Sequence, residues 1–360
     1  MTNVMTPAEV FSPGEFLRDE LAERGWSEAE FADILGRPAQ AVSEILNGKK
    51  AITAETALAI GAALGTSAEL WLNLQSAHRL YLLSSDRAVA TDVERRARLR
   101  SLVPVRELQK RGWLPDTKDL QVLEEAVFEF LGIADPAEGP GLRAAARRSK
   151  MAGAFTPEQV AWIARVRNLG AGRVRQVLDL PALKALASDL TTRIHDPTDL
   201  GQLHDWLAAV GVALVIEQPL RSSKIDGVVI CANDGTPIIG LSTRGDRMDG
   251  FVFTLLHEMA HLILGHVKPG ALRLDEEVLA GVATGVEAEA NAKAGRWVLA
   301  GGALGIDTTP KPTMPRIIAA ARSLGIHPSF VVGRLQQEGV LDWRDFRRSV
   351  PKVRPFVKIG

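Results

Sequence analysis

Hydrophobic positions in the first 83 residues recur with a helical period that breaks at short intervals. Apolar residues fall three and four apart, as in Phe31, Ile34 and Leu35, the spacing that gathers them on one face of an α-helix. Five short helices are predicted, over about 13–24, 27–35, 38–47, 54–64 and 67–83. Each break has a physical cause. Ser27 precedes a helix whose third position is Glu30, the pattern of a reciprocal cap. Gly25, Gly36, Gly48 and Gly65 can take left-handed backbone after a helix end, and Pro38 suits a first helical turn. A polar, basic stretch at 84–100 then reads as a connector. Helix follows, including 120–131, then a loop rich in Pro and Gly at 134–141, then more helix to about 210. There the period changes. Runs at 212–217, 227–232 and 237–241 are β-rich and separated by turn residues such as Asn233-Asp234-Gly235, which predicts a small antiparallel sheet. Two helices at about 249–266 and 286–299 come next, and the last fifty residues read as mainly helical with a basic tail. The expected fold is mainly α with a small β-sheet (α+β). It divides into a five-helix domain at 1–85, a helical connecting region at 86–180 and a further domain at 181–360.

Composition changes this picture little. The chain has 360 residues with 46% hydrophobic content, enough for a sizeable core, and 43 basic residues balance 43 acidic ones. Bulk charge therefore favours neither nucleic acid nor membrane. Cys231 is the only cysteine, so no disulfide framework is possible and a reducing compartment is expected. The N-terminus lacks a basic start followed by an apolar run, so a secretory signal is not expected. No run of about 18 apolar residues is present, so no membrane span is expected either. The expectation is a soluble, cytoplasmic protein.

The candidate chemistry lies in FVFTLLHEMAHLILGH. Here His257 and His261 are four apart, on one face of a helix. Both imidazoles can bind one zinc ion, leaving room for a third ligand and a water. Glu258 follows the first histidine and can take a proton from that water as general base, then pass it to a leaving nitrogen. The helix is apolar nearly all round, so it should be buried. Two histidines and a glutamate buried there are costly without partners, and a metal supplies them. The third ligand should come from GVEAEANAKAG, where Glu287 and Glu289 are the candidates. Glu289 has Lys293 four residues on, the spacing of a surface ion pair. Glu287 has Asn291 at that spacing, able to orient its carboxylate, and is favoured on that ground. Asp275, Glu276 and Glu277 read as a solvated acidic turn, and His266 as a helix-end histidine off the ligand face. No oxyanion stabiliser stands out. His327, Tyr81, Arg247, His195 and His204 read as structural, and Cys231 as an inert core thiol.

The N-terminal helices carry a second pattern. A helix ending at Leu35, a tight Gly36-Arg37 turn and a helix starting at Pro38 fit a helix-turn-helix. Gln40 could read adenine and Ser43 a base or phosphate, while Asn47, Lys49 and Lys50 could touch backbone phosphates. Charge works against strong DNA binding, because residues 1–85 hold 6 Lys and Arg against 11 Asp and Glu, and affinity depends on neutralising phosphates.

These residues carry two resemblances. SEILNGKKAITAETALAIGAALGTSAELWLNLQ resembles the HigA-type, Cro/C1-like helix-turn-helix of plasmid-maintenance antidote proteins. LSTRGDRMDGFVFTLLHEMAHLILGH followed by EAEAN resembles the ImmA/IrrE metallopeptidase family. VRELQKRGWLP and GIHPSFVVGRLQQEG resemble members that fuse both modules. The second resemblance implies a Zn2+ site of His257, His261 and Glu287, with Glu258 as catalytic base. It also implies a protein substrate, either a small helix-turn-helix repressor or a toxin, cut in a stress or mobile-element response. The first implies a DNA-binding autoregulator, and dimerisation to match two half-sites makes a homodimer an expectation. Two positions depart from the peptidase family's pattern: Lys293 stands where an aromatic residue is usual, and Ala300 where a proline is. Two functions follow as expectations. One is a zinc endopeptidase with a DNA-binding module. The alternative is a HigA-like antitoxin or regulator whose metallopeptidase-like domain senses or scaffolds.

Overall fold

The structure is a computed structural model that describes residues 11–84, 87–133, 155–232, 234–267, 272–276 and 285–360. The expected loop at 134–141, Asn233 of the expected turn and Glu277 lie outside the described residues. The chain forms two compact units, Met1–Arg96 and Ala97–Gly360.

The first unit contains the five expected helices, α1 (Pro13–Arg24), α2 (Glu28–Leu35), α3 (Ala39–Leu46), α4 (Ala54–Leu64) and α5 (Ala68–Ser84). Ser12 and Ser27 cap α1 and α2 reciprocally with Glu15 and Glu30. Gly36 leaves α2 in left-handed backbone at φ 62°, the turn that swings the chain into α3. Leu17, Phe31, Ile60 and Trp71 form a fully buried centre. Gly14 lets α1 meet the end of α3, because a Cβ there would collide with Leu46 O and lie 2.8 Å from Ile45 O. From Arg87 onward, the stretch expected as a connector is instead helical, within α6 (Arg87–Leu102). Its many arginines form helix readily, so a basic run alone does not mark a linker.

In the second unit, α7 (Val105–Lys110), α8 (Leu120–Leu131), α9 (Pro157–Gly170), α10 (Leu180–Arg193) and α11 (Leu203–Ala209) precede the sheet. The strands are β1 (Ala213–Glu217), β2 (Ile225–Cys231), β3 (Pro237–Ser242) and β4 (Leu272–Glu276). Their order is β1-β3-β2-β4. β1 runs parallel to β3, whereas β2 is antiparallel to β3 and to β4. The sheet is therefore mixed, and the expected all-antiparallel sheet is corrected. Asp275 and Glu276, expected in an acidic turn, lie in β4 opposite Gly227 and Ile225.

Alternation along the strands feeds two cores. Val215, Val228, Ile230 and Ile238 join Val160, Ile163 and Val166 of α9 on one face. Leu214, Ile216, Val229, Ile239 and Leu241 join the core of α12 (Met248–Ile263) on the other. Strands covered on both faces read as continuous apolar runs, which hides the pairing direction from sequence. The expected connecting region thus contributes α9 to one face of the sheet. Two glycines allow that layer to close in. A Cβ at Gly170 would meet Ile238 Cδ1 at 3.0 Å, and one at Gly240 would meet Val166 Cγ1 at 2.6 Å. The remaining helices are α13 (Val286–Trp297), α14 (Met314–Leu324) and α15 (Pro328–Gln337). The end of the chain is held to the sheet, with Gly360 N donating to Ile216 O at 2.9 Å. Among the described residues, no helix is long and apolar enough to cross a membrane.

Candidate metal centre and helix-turn-helix surface

α12 is sixteen residues long and buries almost every side chain, His257, Glu258 and His261 among them at 0% exposure. The two histidines share the face that meets α13. Their Nε2 atoms are 2.8 Å apart, and Glu287 Oε2 lies 3.2 Å from His257 Nε2 and 3.4 Å from His261 Nε2. These three form a cluster able to hold one ion among the described residues.

The triangle can be tested for fit. Zinc bonds of about 2.0–2.1 Å in tetrahedral geometry set ligand atoms roughly 3.3 Å apart, close to the two separations from Glu287, while the Nε2–Nε2 distance of 2.8 Å is shorter. A short Nε2–Nε2 contact needs one nitrogen without a proton, which leaves that lone pair available to a shared cation. A cation meets all three lone pairs at once.

Behind the cluster runs a second line of contacts. His261 Nδ1 is 2.9 Å from His266 Nδ1, and His266 Nε2 is 3.4 Å from Glu289 Oε2. If His261 offers Nε2 to a metal, its Nδ1–H donates to His266 Nδ1, and the His266 Nε2–H faces Glu289. Such outer partners fix the ring and tautomer of a metal-binding histidine. The Glu289 carboxylate thus faces His266 in place of the expected Lys293, while His266 lies just past the helix end and outside the three-residue cluster, as expected. Lys293 Nζ lies instead over the Trp297 ring, 5.7 Å from its centre. Asn291 sits in α13 one turn after Glu287, with its Oδ1 buried and accepting no hydrogen bond. Ala300 has φ 51°, a value that a proline ring, fixed near −65°, cannot reach.

Glu258 turns to the sheet. A Cβ on Gly227 of β2 would collide with Glu258 Oε1 and come within 2.7 Å of Thr254 Cγ2. The bare backbone at Gly227 makes room for the carboxylate. The β2–β4 register shifts between Ile225 and Gly227, a bulge of the kind that re-aims side chains beside active sites. Sequence reasoning missed Gly227. Its signal is a glycine inside a strand pattern, which marks a bulge or a close approach.

The other residues weighed from sequence lie away from the cluster. His327 caps α15, with Nδ1 accepting from Ser329 N at 3.1 Å, and burial pushes its pKa down despite the opposing charge of Asp196. Burial likewise lowers the pKa of His204, helped by the charge of Arg173. Arg247 pairs with the buried Asp249 at 2.6 Å. Cys231 is buried.

In the first unit, α2 and α3 form the helix-turn-helix. Gln40 is exposed, with Nε2 donating to Glu44 Oε1 at 3.2 Å. Ser43 is half-buried, and Lys49 and Lys50 are exposed just past α3. Asn47 is exposed but engaged within the unit. Its Oδ1 accepts from Arg18 Nη2 at 2.9 Å, and its Nδ2 donates to Ser43 O at 2.8 Å.

Comparison with known proteins agrees with this unit. The helix-turn-helix family profile matches residues 17–71. The HTH-type transcriptional regulator YddM of Escherichia coli is 34% identical over 87 residues, which are 24% of this chain and 88% of that protein. Virulence-associated protein I of Dichelobacter nodosus is 37% identical over 76 residues, 21% of this chain and 70% of that protein. Through its N-terminal unit the chain belongs to the helix-turn-helix family. Among solved structures, an addiction-module antidote protein of the HigA family from Coxiella burnetii is 37% identical over 23% of this chain and 94% of its own, with a TM-score of 0.22. The Pseudomonas aeruginosa antitoxin HigA, solved with the higBA promoter, is 34% identical over 23% of this chain and 91% of its own, also at 0.22.

Proposed function

We propose that the chain is a zinc-dependent endopeptidase of ImmA/IrrE type with a DNA-binding helix-turn-helix, and that it cuts a repressor-type regulator. One observation carries the enzymatic half. His257 Nε2, His261 Nε2 and Glu287 Oε2 converge on one point, with Glu258 buried beside them at the next position of the same helix. His257, His261 and Glu287 would hold the ion, which supplies Lewis-acid polarisation of a carbonyl and acidifies a water. Glu258 then acts through its carboxylate. It takes a proton from the attacking water and returns it to the leaving nitrogen. Gly227 leaves the space in which that carboxylate sits. Burial of Glu258 keeps bulk water away and strengthens each charge interaction in the site.

The test is incubation of the full chain, loaded with one equivalent of zinc, with the products of adjacent genes. Mass spectrometry compares wild type with Glu258→Gln. Cuts made by wild type alone are expected, and identical product lists from both proteins would sink the enzymatic reading.

The DNA-binding half rests on the helix-turn-helix family match and on the exposed Gln40, Lys49 and Lys50. Lys49→Ala and Lys50→Ala should each weaken DNA binding evenly across sequences, lowering the salt slope by about one. Gln40→Ala should relax preference at one base pair, at about 1–3 kcal/mol. A homodimer would match two half-sites.

A second reading is supported by the relatives, whose matches fall in the first unit and include a transcriptional regulator. In it the chain is a HigA-like regulator or antitoxin, and the metal centre senses or scaffolds. A reporter under the chain's own promoter separates the two. The regulator reading expects Glu258→Gln to repress like wild type and Lys49→Ala to derepress.

A further inference from the structure

A cavity of about 310 Å³ opens along the N-terminal half of α12, at the small end of the range for ligand sites. Phe253 and Thr254 line it, and these residues stand one helical turn before His257 and Glu258 on α12. At 1.5 Å of rise per residue, this offset is about 6 Å along the helix axis, so the cavity's nearest lining on α12 precedes the cluster by one turn. Thr254 Cγ2 and Glu258 Oε1 flank the same bare backbone at Gly227. Asp226, the residue inside the β2 bulge, lies on the cavity's wall.

The wall is chemically selective. Phe251, Phe253, Val298 and Phe330 supply apolar surface, with Trp343 beside them. The lining charges are already engaged by one another or by neighbouring groups. Arg244 makes two bonds to Asp226, at 2.8 and 2.7 Å. Arg247 makes two to Asp249, at 3.1 and 2.6 Å. Arg334 bonds Glu338 at 2.7 Å, and Asp246 accepts from Val353 N and Arg354 N at 3.1 and 3.0 Å. A charged guest would have to break one of these pairs, whereas a neutral apolar guest gains from desolvation alone.

We propose that this cavity is a side-chain subsite that receives one bulky apolar residue, aromatic or long aliphatic, of a peptide next to the bond on which Glu258 acts. The inference rests on the peptidase reading and names its substrate class: polypeptide segments with such a residue beside the cleaved bond. The volume holds one large side chain and no folded element. Gly250 gives the means of testing it. It lies in the first turn of α12 and on the cavity's lining, and a Cβ there meets no atom within 4 Å. Leucine at this position projects into the cavity and favours helix over glycine. Gly250→Ala adds one methyl and serves as the folding control.

The experiment uses the full zinc-loaded chain. N-acetyl amides of phenylalanine, leucine, alanine and glutamate are titrated while the indole ¹⁵N–¹H resonance of Trp343 is followed, that resonance being assigned with Trp343→Phe. The phenylalanine and leucine amides should saturate at least about ten-fold more tightly than the alanine amide, the discrimination ordinary for an apolar pocket. The glutamate amide should bind no better than alanine. Gly250→Leu should remove the difference and Gly250→Ala should keep most of it. In parallel, a mixed peptide pool is cleaved. Wild-type cuts should cluster beside aromatic or long aliphatic residues, and Gly250→Leu cuts should shift to small ones. Equal binding of the phenylalanine and alanine amides, or tighter binding of glutamate, overturns the subsite. Cleavage without side-chain preference overturns it too, and leaves the peptidase reading standing. Absence of any cleavage above the Glu258→Gln background removes the peptidase reading itself, and the subsite with it.

Discussion

The two units place most of their polar candidates on opposite sides of the solvent boundary, with Ser43 and Glu287 in between. In the first, Gln40, Asn47, Lys49 and Lys50 are exposed. In the second, His257, Glu258 and His261 are buried completely in a helix that packs on nearly every side. A solvated polar side chain costs nothing to keep, so its identity alone constrains function weakly, and family membership has to supply the rest. A buried imidazole or carboxylate costs several kcal/mol unless something meets it. The demand for partners therefore points to chemistry before any relative is consulted. The units also differ in what relatives say: the family match falls on residues 17–71, where geometry is least demanding.

The largest expected effect breaks the comparison at its buried end. Glu258→Gln keeps the shape of the side chain and removes its basicity, so cleavage should fall about 10²–10⁴-fold, the usual contribution of a general base. Zinc content measured by mass spectrometry should stay at one per chain. DNA binding by the first unit should not change. A parallel loss of zinc would move Glu258 from chemistry to metal binding.

Next in size are the outer partners of His261. His266→Ala removes the ring 2.9 Å from His261 Nδ1, and should weaken zinc binding about 10–100-fold in chelator competition. His266→Asn keeps a polar group near that position and should recover part of the loss. Glu289→Gln, whose carboxylate is more than half exposed and 3.4 Å from His266, should cost less than either. Unchanged zinc affinity in His266→Ala would reduce these contacts to packing.

Two glycines sharpen the contrast. Gly227→Ala drives a methyl into Glu258 Oε1, and Gly14→Ala drives one into Leu46 O. Each should destabilise its own unit by about 1–3 kcal/mol, as overpacking does. Calorimetry of the full chain should show different transitions moving. If the chain is a peptidase as proposed, Gly227→Ala should also lower kcat, because it displaces the Glu258 carboxylate, while Gly14→Ala should leave cleavage intact and weaken DNA binding. If both shift the same transition, the two units do not unfold separately.

How much of this was legible in sequence follows the same boundary. The five N-terminal helices are marked by local signals, since Ser27 with Glu30 and the left-handed Gly36 act within a few residues. The spacing of His257 and His261 is local as well, and Glu287 was preferred to Glu289 from residues in its own helix. The mixed sheet, α9 on its far face and the cavity along the N-terminal half of α12 were not legible. They depend on contacts between distant segments, and β1, β2 and β3 present nearly unbroken apolar runs that carry no direction. His266 reads from sequence as a helix-end residue off the ligand face, and the structure agrees; its contact with His261 Nδ1 was not legible. The structure ends α12 at Ile263, so His266 lies past the helix and folds back. Gly227 could have been flagged as a glycine within a strand, but its neighbour Glu258 lies 31 positions away in the chain.

The smallest expected effect concerns pH, and only the first unit. Backbone and hydroxyl hydrogen bonds from Ser12 hold the Glu15 carboxyl below its ordinary 4.5, and those from Ser27 do the same for Glu30. A carboxyl with a depressed folded pKa gives its full contribution above the unfolded value and loses it as pH falls through the folded one. The caps of α1 and α2 should therefore loosen below about pH 4.5. Hydrogen exchange over residues 12–36 of the full chain, followed by mass spectrometry, reads this directly. Glutamine also serves at the third position of such a cap, so Glu15→Gln with Glu30→Gln keeps the bonding and removes the titration. In that variant, exchange at 12–36 should lose its acid dependence while exchange in α12 stays as in wild type. Acid dependence that persists in the double variant would assign it to carboxylates elsewhere in the unit, and the reciprocal caps would then contribute shape without a pH response.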